Sequence, residues 1–127
     1  MDINKMKSDL KMENFHFIEC SITRSQVIEN GPLSFDLQKE INELEDGSYT
    51  VVLTLVVKKE KKDLNVKVIA SAKFSMDNDD IDLVRSIMDT NAVAIMFPFI
   101  RSQVSLLTTQ PGMNPIVLPP INTAKFK

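Results

Sequence analysis

The residues best suited to nucleophilic chemistry are the single histidine, His16, and the single cysteine, Cys20. They stand four apart in a predicted strand and so share a face, as the two members of a Cys–His pair would. Strand rise separates them by roughly 13 Å, beyond hydrogen-bond reach. A packed or surface histidine accounts for His16 better than a base or ligand does. One Cys and one His cannot supply a zinc set. Asp77-Asn78-Asp79-Asp80-Ile81-Asp82 invites a calcium reading. A calcium loop starting at Asp77 wants glycine in its sixth place and glutamate in its twelfth; Asp82 and Met88 stand there instead. These acids read as the start of a helix, where they complement the macrodipole. Gly31, Gly47 and Gly112 each sit at a turn, and none opens a phosphate-binding run. Lys58-Lys59-Glu60-Lys61-Lys62 reads as a solvated hairpin tip, with lysines protecting a sheet edge. The chain is expected to be no enzyme and to carry no cofactor and no metal.

The totals point the same way. A chain of 127 residues makes one domain with one core. A net charge of -2 gives no bulk attraction to nucleic acid, and with no Trp and one Tyr there is little to stack bases on. A single cysteine excludes an intrachain disulfide and fits a reducing compartment. The N-terminus lacks the apolar core of a signal peptide. The apolar runs Val51–Val57 and Ala92–Ile100 fall short of the roughly 20 residues a membrane helix needs, so no membrane insertion is expected.

The elements follow from periodicity. Residues 1–14 form a polar N-terminal segment, flexible or briefly helical, and residues 15–127 a single domain. Phe15–Thr23 reads as a strand with His16, Ile18, Cys20 and Ile22 on one face and Phe15 and Phe17 on the other. Asn30-Gly31-Pro32 is a turn, Leu33–Leu37 a second strand, and Gln38–Gly47 a polar acidic stretch closed by Asp46-Gly47. Tyr49–Val57 is apolar on both faces, which makes it central or places it in a sheet covered on both sides. Leu64–Met76 alternates, except for Ile69 on its polar side. Ile81, Val84, Ile87 and Met88 then give a helical stripe up to Thr90, and Asn91 can cap a following helix. Pro98 either kinks that helix or lies in the first turn of one starting near Met96. Gln110-Pro111-Gly112 stops it, and a Pro-rich extended arm, Met113–Asn122, follows. Strands first and helices after predict an α+β domain: a four-stranded antiparallel sheet with a long helix packed on one face.

The helix is apolar on more than the one side a sheet can cover. The excess predicts an oligomer interface or a groove for another chain.

Two short patterns carry a family resemblance: Asn91-Ala92 leading to Phe97-Pro98-Phe99-Ile100-Arg101, and Leu118-Pro119-Pro120-Ile121-Asn122. In order and separation they resemble the SecB family of bacterial protein-export chaperones. The resemblance implies a cytosolic, ATP-independent holdase, a homotetrameric dimer of dimers that holds unfolded precursor polypeptides in apolar grooves and passes them to the motor SecA. It places the groove between the crossover near Gln26–Pro32 and the segment Met113–Phe126. Val27, Ile28, Leu33, Ile116, Leu118, Ile121 and Phe126 would then line it, with Phe97, Val104 and Leu107 in or under the helix-mediated assembly contact. Three departures bear on the export role. The crossover is short and lacks aromatic residues. The stretch after Asn122 is brief, so the second helix and metal-binding tail that docks on SecA are expected to be missing or vestigial. Family members tend to be strongly acidic, whereas this chain is near neutral, with Lys67 and Lys73 on a sheet face. Client holding is thus better supported than hand-off. A dedicated chaperone of a toxin–antitoxin system, and a non-catalytic adaptor with one specific partner, are the alternatives. A small-molecule or enzymatic domain would need a pocket with convergent polar groups.

Overall fold

The centre of the sheet is the strand with the strongest sequence signal. In the computed structural model, which describes residues 10–26, 31–59 and 63–120, β3 (Tyr49–Lys59) lies between β4 (Leu64–Met76) and β2 (Leu33–Glu43). β1 (Leu10–Arg24) pairs with the far side of β4, and every pairing is antiparallel. Val51, Leu53, Leu55 and Val57 of β3 are buried, as are Val66, Val68, Ala70, Ala72 and Phe74 of β4. The opposite face shows half-buried Val52, Thr54, Val56 and Ile69, over which no described element is packed. β3 is therefore apolar on both sides because it is central, and Ile69 sits beside Thr54 in the middle of the open face.

The order β1-β4-β3-β2 puts consecutive strands β1 and β2 at opposite edges. The end of β1 and the start of β2 therefore lie on opposite edge strands, roughly 14 Å apart at ordinary strand spacing.

β1 departs from the predicted alternation. It begins at Leu10, so Leu10–Asn14 are strand, and its register shifts twice, between Glu13 and His16 and between Phe17 and Glu19. Each bulge adds a residue and reverses which face the following side chains take. Phe17 pairs with Ala70 and Cys20 with Val68, on the helix side. His16 pairs with Ser71 and Glu19 with Ile69, on the open side. His16 and Cys20 thus occupy opposite faces. The first bulge holds Asn14 at φ 56, and His16 Nδ1 lies 2.9 Å from the Asn14 carbonyl oxygen. Asparagine tolerates this left-handed conformation better than branched residues do. Asn14→Gly should keep or slightly raise stability, whereas Asn14→Val should lose about 1–2 kcal/mol in urea denaturation. Equal stability of the two variants would remove the strain argument.

β2 also runs further than predicted, through the acidic stretch to Glu43. Leu37, Lys39 and Ile41 continue its inward face, opposite Leu55, Leu53 and Val51. The turn that follows is fixed by Asp46, whose carboxylate accepts from the Ser48 hydroxyl and amide and from Lys73 Nζ. Those bonds, Ser48's first, hold its pKa down at about 2.

α1 (Ile81–Thr108) is one helix of 28 residues. Asp80 caps it by accepting from the Leu83 amide at 3.2 Å, and Asp82 sits in its first turn. Asn91 is interior rather than a cap, accepting from the Thr90 hydroxyl. The helix neither stops nor begins at Pro98. The missing amide would have served the carbonyl of Ala94, and both residues are exposed, so water can replace it. On the other side Val93, Met96, Phe97, Ile100 and Val104 bind both halves to the sheet. By length and composition alone α1 would suffice to cross a bilayer, but it serves here as the core helix over β3 and β4.

Candidate functional site

After α1, Gly112 takes φ 78 and the Met113 amide donates to the Gln110 carbonyl, which turns the chain back along the helix. Residues 113–120 form neither helix nor strand. Their backbone is held by side chains from one stripe of α1. Arg101 Nε donates to the Leu118 carbonyl at 3.0 Å, and Ser105 Oγ donates to the Ile116 carbonyl at 2.9 Å. Thr108 Oγ1 accepts from the Ile116 amide at 2.8 Å and donates to the Val104 carbonyl at 2.8 Å. Positions 101, 105 and 108 recur at helical spacing, so they meet one straight segment of arm. Ile116 and Leu118 turn into the core at 8% and 3% exposure, while Val117 between them stands 75% exposed.

Thr108 is fully buried. Thr108→Val removes the acceptor and leaves the Ile116 amide buried without a partner, a loss of about 1–3 kcal/mol. Hydrogen exchange at that amide should accelerate well beyond its rate in the parent chain. Unchanged exchange would mean the arm is held by packing alone.

The arm, the start of β2, the end of β3 and the start of β4 bound a pocket of about 340 Å³. Leu33, Phe35, Leu64, Met113 and Ile116 supply its apolar walls, and Lys59 lines one side, its Nζ bonded to the Gly31 carbonyl. Across the arm lies an open shelf of about 590 Å³, bounded by Pro98, Ser102, Leu106, Val117 and Leu118. A further hollow of about 370 Å³ lies at the other end of β2, over Ile41, Tyr49 and Met88. Its rim carries Arg85, paired with Glu43 at 3.1 Å, and Asp89, paired with Lys39 at 2.6 Å. The Glu43 carboxylate, and then Tyr49, raise the Arg85 pKa.

Of the groove residues expected from sequence, Leu33 and Ile116 meet in the first pocket, and Leu118 borders the shelf beside it. Val27, Ile28, Ile121 and Phe126 lie outside the described residues. Phe35 and Met113 were not singled out, although the alternation of β2 places Phe35 on the same face as Leu33 and Leu37. Phe97 and Val104, expected in or under an assembly contact, are core residues with 5% and 0% exposure, and Leu107 is half-buried against that core. The sheet takes them because they project from the same side of α1 as Met96 and Ile100. The large apolar side chains that α1 exposes are Ile81, Phe99 and Leu106. The Phe99 ring packs tilted against Phe15 at 4.9 Å between centroids, and Phe15 meets Phe17 edge-on at 5.3 Å.

No group of three or more His, Cys, Asp or Glu among the described residues is placed to hold a metal. His16 and Cys20 stand on opposite faces, and neither lines the first pocket, whose walls are apolar side chains with Lys59 and Asn114.

The family model described as preprotein translocase subunit SecB matches residues 8–126. The chain belongs to the SecB family. It is 30% identical over 120 residues to the protein-export protein SecB of Methylobacillus flagellatus, covering 90% of this chain and 72% of that one. It is 28% identical over 96 residues to an uncharacterized protein of Methanocaldococcus jannaschii, covering 72% of this chain and 62% of the relative, so the match spans under two-thirds of that protein's length. Among solved structures, its fold is similar to that of a SecB-like chaperone of Mycobacterium tuberculosis in complex with a ChAD peptide from the HigA1 antitoxin. The TM-score is 0.72, with 10% identity, over 91% of this chain and 90% of that one. The SecB motif residues fall at two places in this geometry. Phe97 and Ile100 anchor α1 in the core, and Arg101 clamps the arm at Leu118.

Proposed function

We propose that the chain is an ATP-independent, non-catalytic holdase that binds unfolded polypeptide in the pocket between β2 and the arm. The observation that carries this is the pocket itself. Leu33, Phe35, Leu64, Met113 and Ile116 line it, and the arm that walls it is fixed to α1 by side-chain bonds to its backbone. Apolar burial is non-directional, so one such surface takes unrelated sequences. Met113 can repack around different side chains. Membership of the SecB family supports the reading, as does the solved relative that carries a bound peptide. Leu33, Ile116 and Leu118 keep their proposed groove roles, with Val27, Ile28, Ile121 and Phe126 extending the groove in the same proposal.

The chain acts in the cytoplasm as a homo-oligomer, a dimer of dimers. The exposed row Ala94, Pro98, Ser102 and Leu106 along α1 supports a helix-mediated contact, with Ala94 and Ser102 letting a second helix approach closely and Leu106 offering apolar surface. Phe97, Val104 and Leu107 underlie that contact from the core. Two client programmes fit: export with hand-off to SecA, and dedicated protection of an antitoxin. The second is favoured by the likeness to a chaperone solved with an antitoxin peptide.

The purified chain, at stoichiometric amounts and without ATP, should suppress aggregation of several denatured clients. Absence of suppression across all of them rejects the holdase. Protection of one partner alone converts it into the dedicated chaperone or adaptor.

A further inference from the structure

The hollow at the far end of β2 has no part in the groove described above, yet it opens on the same side of the sheet. Phe35, in the first pocket, and Ile41, in this hollow, are six residues apart on the inward face of β2. That is roughly 20 Å of extended chain. Between them Lys39, whose side chain is only 10% exposed, bridges from β2 to α1. Its Nζ lies 2.6 Å from Asp89 Oδ1 and 2.8 Å from the Asp89 carbonyl. The seam between β2 and α1 is therefore open at both ends and closed at its middle. The hollow's floor is apolar, from Ile41, the Tyr49 ring and fully buried Met88. Its volume, about 370 Å³, is close to the 340 Å³ of the first pocket.

We infer that this hollow is a second anchor site for the same polypeptide, holding one apolar side chain of an extended segment whose other apolar side chain, six residues away, fills the pocket at Phe35. The inference rests on the holdase reading and adds a spacing rule to it. Segments with apolar residues i and i+6 bind best. The inward residue that passes over the Lys39–Asp89 bridge, i+4 or i+2 according to the segment's direction, is best small or polar. The Arg85–Glu43 pair at the far rim gives the segment's flanking backbone both a donor and an acceptor.

The test uses fluorescein-labelled peptides with leucines in a Ser/Thr background, read by anisotropy on the full chain. One series carries a single leucine; the others carry two, separated by four, five, six or eight residues. The six-residue peptide should bind about tenfold tighter than the single-leucine peptide, and tighter than the other spacings. The five-residue peptide, whose leucines point to opposite sides, should gain least. In Ser86→Phe, which fills the hollow from an exposed helix position, the six-residue and single-leucine peptides should bind alike. Affinity independent of spacing, or a spacing preference that survives Ser86→Phe, overturns the second anchor. Failure of every peptide, the single-leucine one included, rejects the holdase reading on which it stands.

Discussion

Replacing Phe35 by aspartate should weaken capture of an unfolded client by at least about tenfold while the fold survives. The ring is 50% exposed and lines the pocket beside Leu33 and Met113. Its exposed half is surface a client would cover, and loss of that burial alone is about 1–1.5 kcal/mol. The introduced carboxylate must also be desolvated when an apolar side chain arrives, which adds to the loss. The fold tolerates the change because Phe35 lies on an edge strand and is not part of the fully buried core. Asp36 provides the control. It pairs with Val56 and so takes the opposite face, and Asp36→Lys should leave capture as it is. Equal loss in the two variants would mean that charge near β2, not the pocket, governs binding.

Phe74→Ala should cost about 3–5 kcal/mol of stability. Phe74 is fully buried and joins three strands, pairing with Met12 of β1 and Tyr49 of β3. Its ring lies on the side of the sheet that α1 covers. A domain of this size has about 5–15 kcal/mol in total, so the variant loses at least about a fifth of it. Urea denaturation should show a large fall in midpoint with little change in slope. A loss below about 1 kcal/mol would mean the site collapses to fill the void.

The sequence displays the sheet well, because burial writes a period of two into β3 and β4. It misleads in β1. There the face of each side chain depends on two bulges, and a bulge shifts the phase without changing the residues that flank it. The apparent His16/Cys20 face is the result. The continuity of α1 was equally hidden. Asn91 and Pro98 are local stop signals, overridden because Val84, Met88, Ala92, Val93, Met96, Phe97, Ile100 and Val104 all bury on one sheet.

The site was half visible. The motif Leu118-Pro119-Pro120 marks the arm, but what fixes it, Thr108, Ser105 and Arg101, reads as ordinary helix polarity until the arm is seen to return along α1. Phe35 lies on the predicted face of Leu33 and Leu37, but only the returning arm makes that face the wall of a pocket. The side of α1 on which a second helix would pack is hidden for a related reason. A helix apolar on several sides does not say which side the sheet takes, and Phe97 and Val104 went to the core.

The central claim is that unfolded polypeptide is held between β2 and the arm. The most direct measurement is a methyl spectrum of the full chain, labelled at Ile, Leu, Val and Met, titrated with a reduced, permanently unfolded client. The account predicts saturable shifts at Leu33, Met113, Ile116 and Val117, with Val52, Val56 and Ile69 on the open sheet face unmoved. Shifts confined to that open face, or none at client excess, would contradict it.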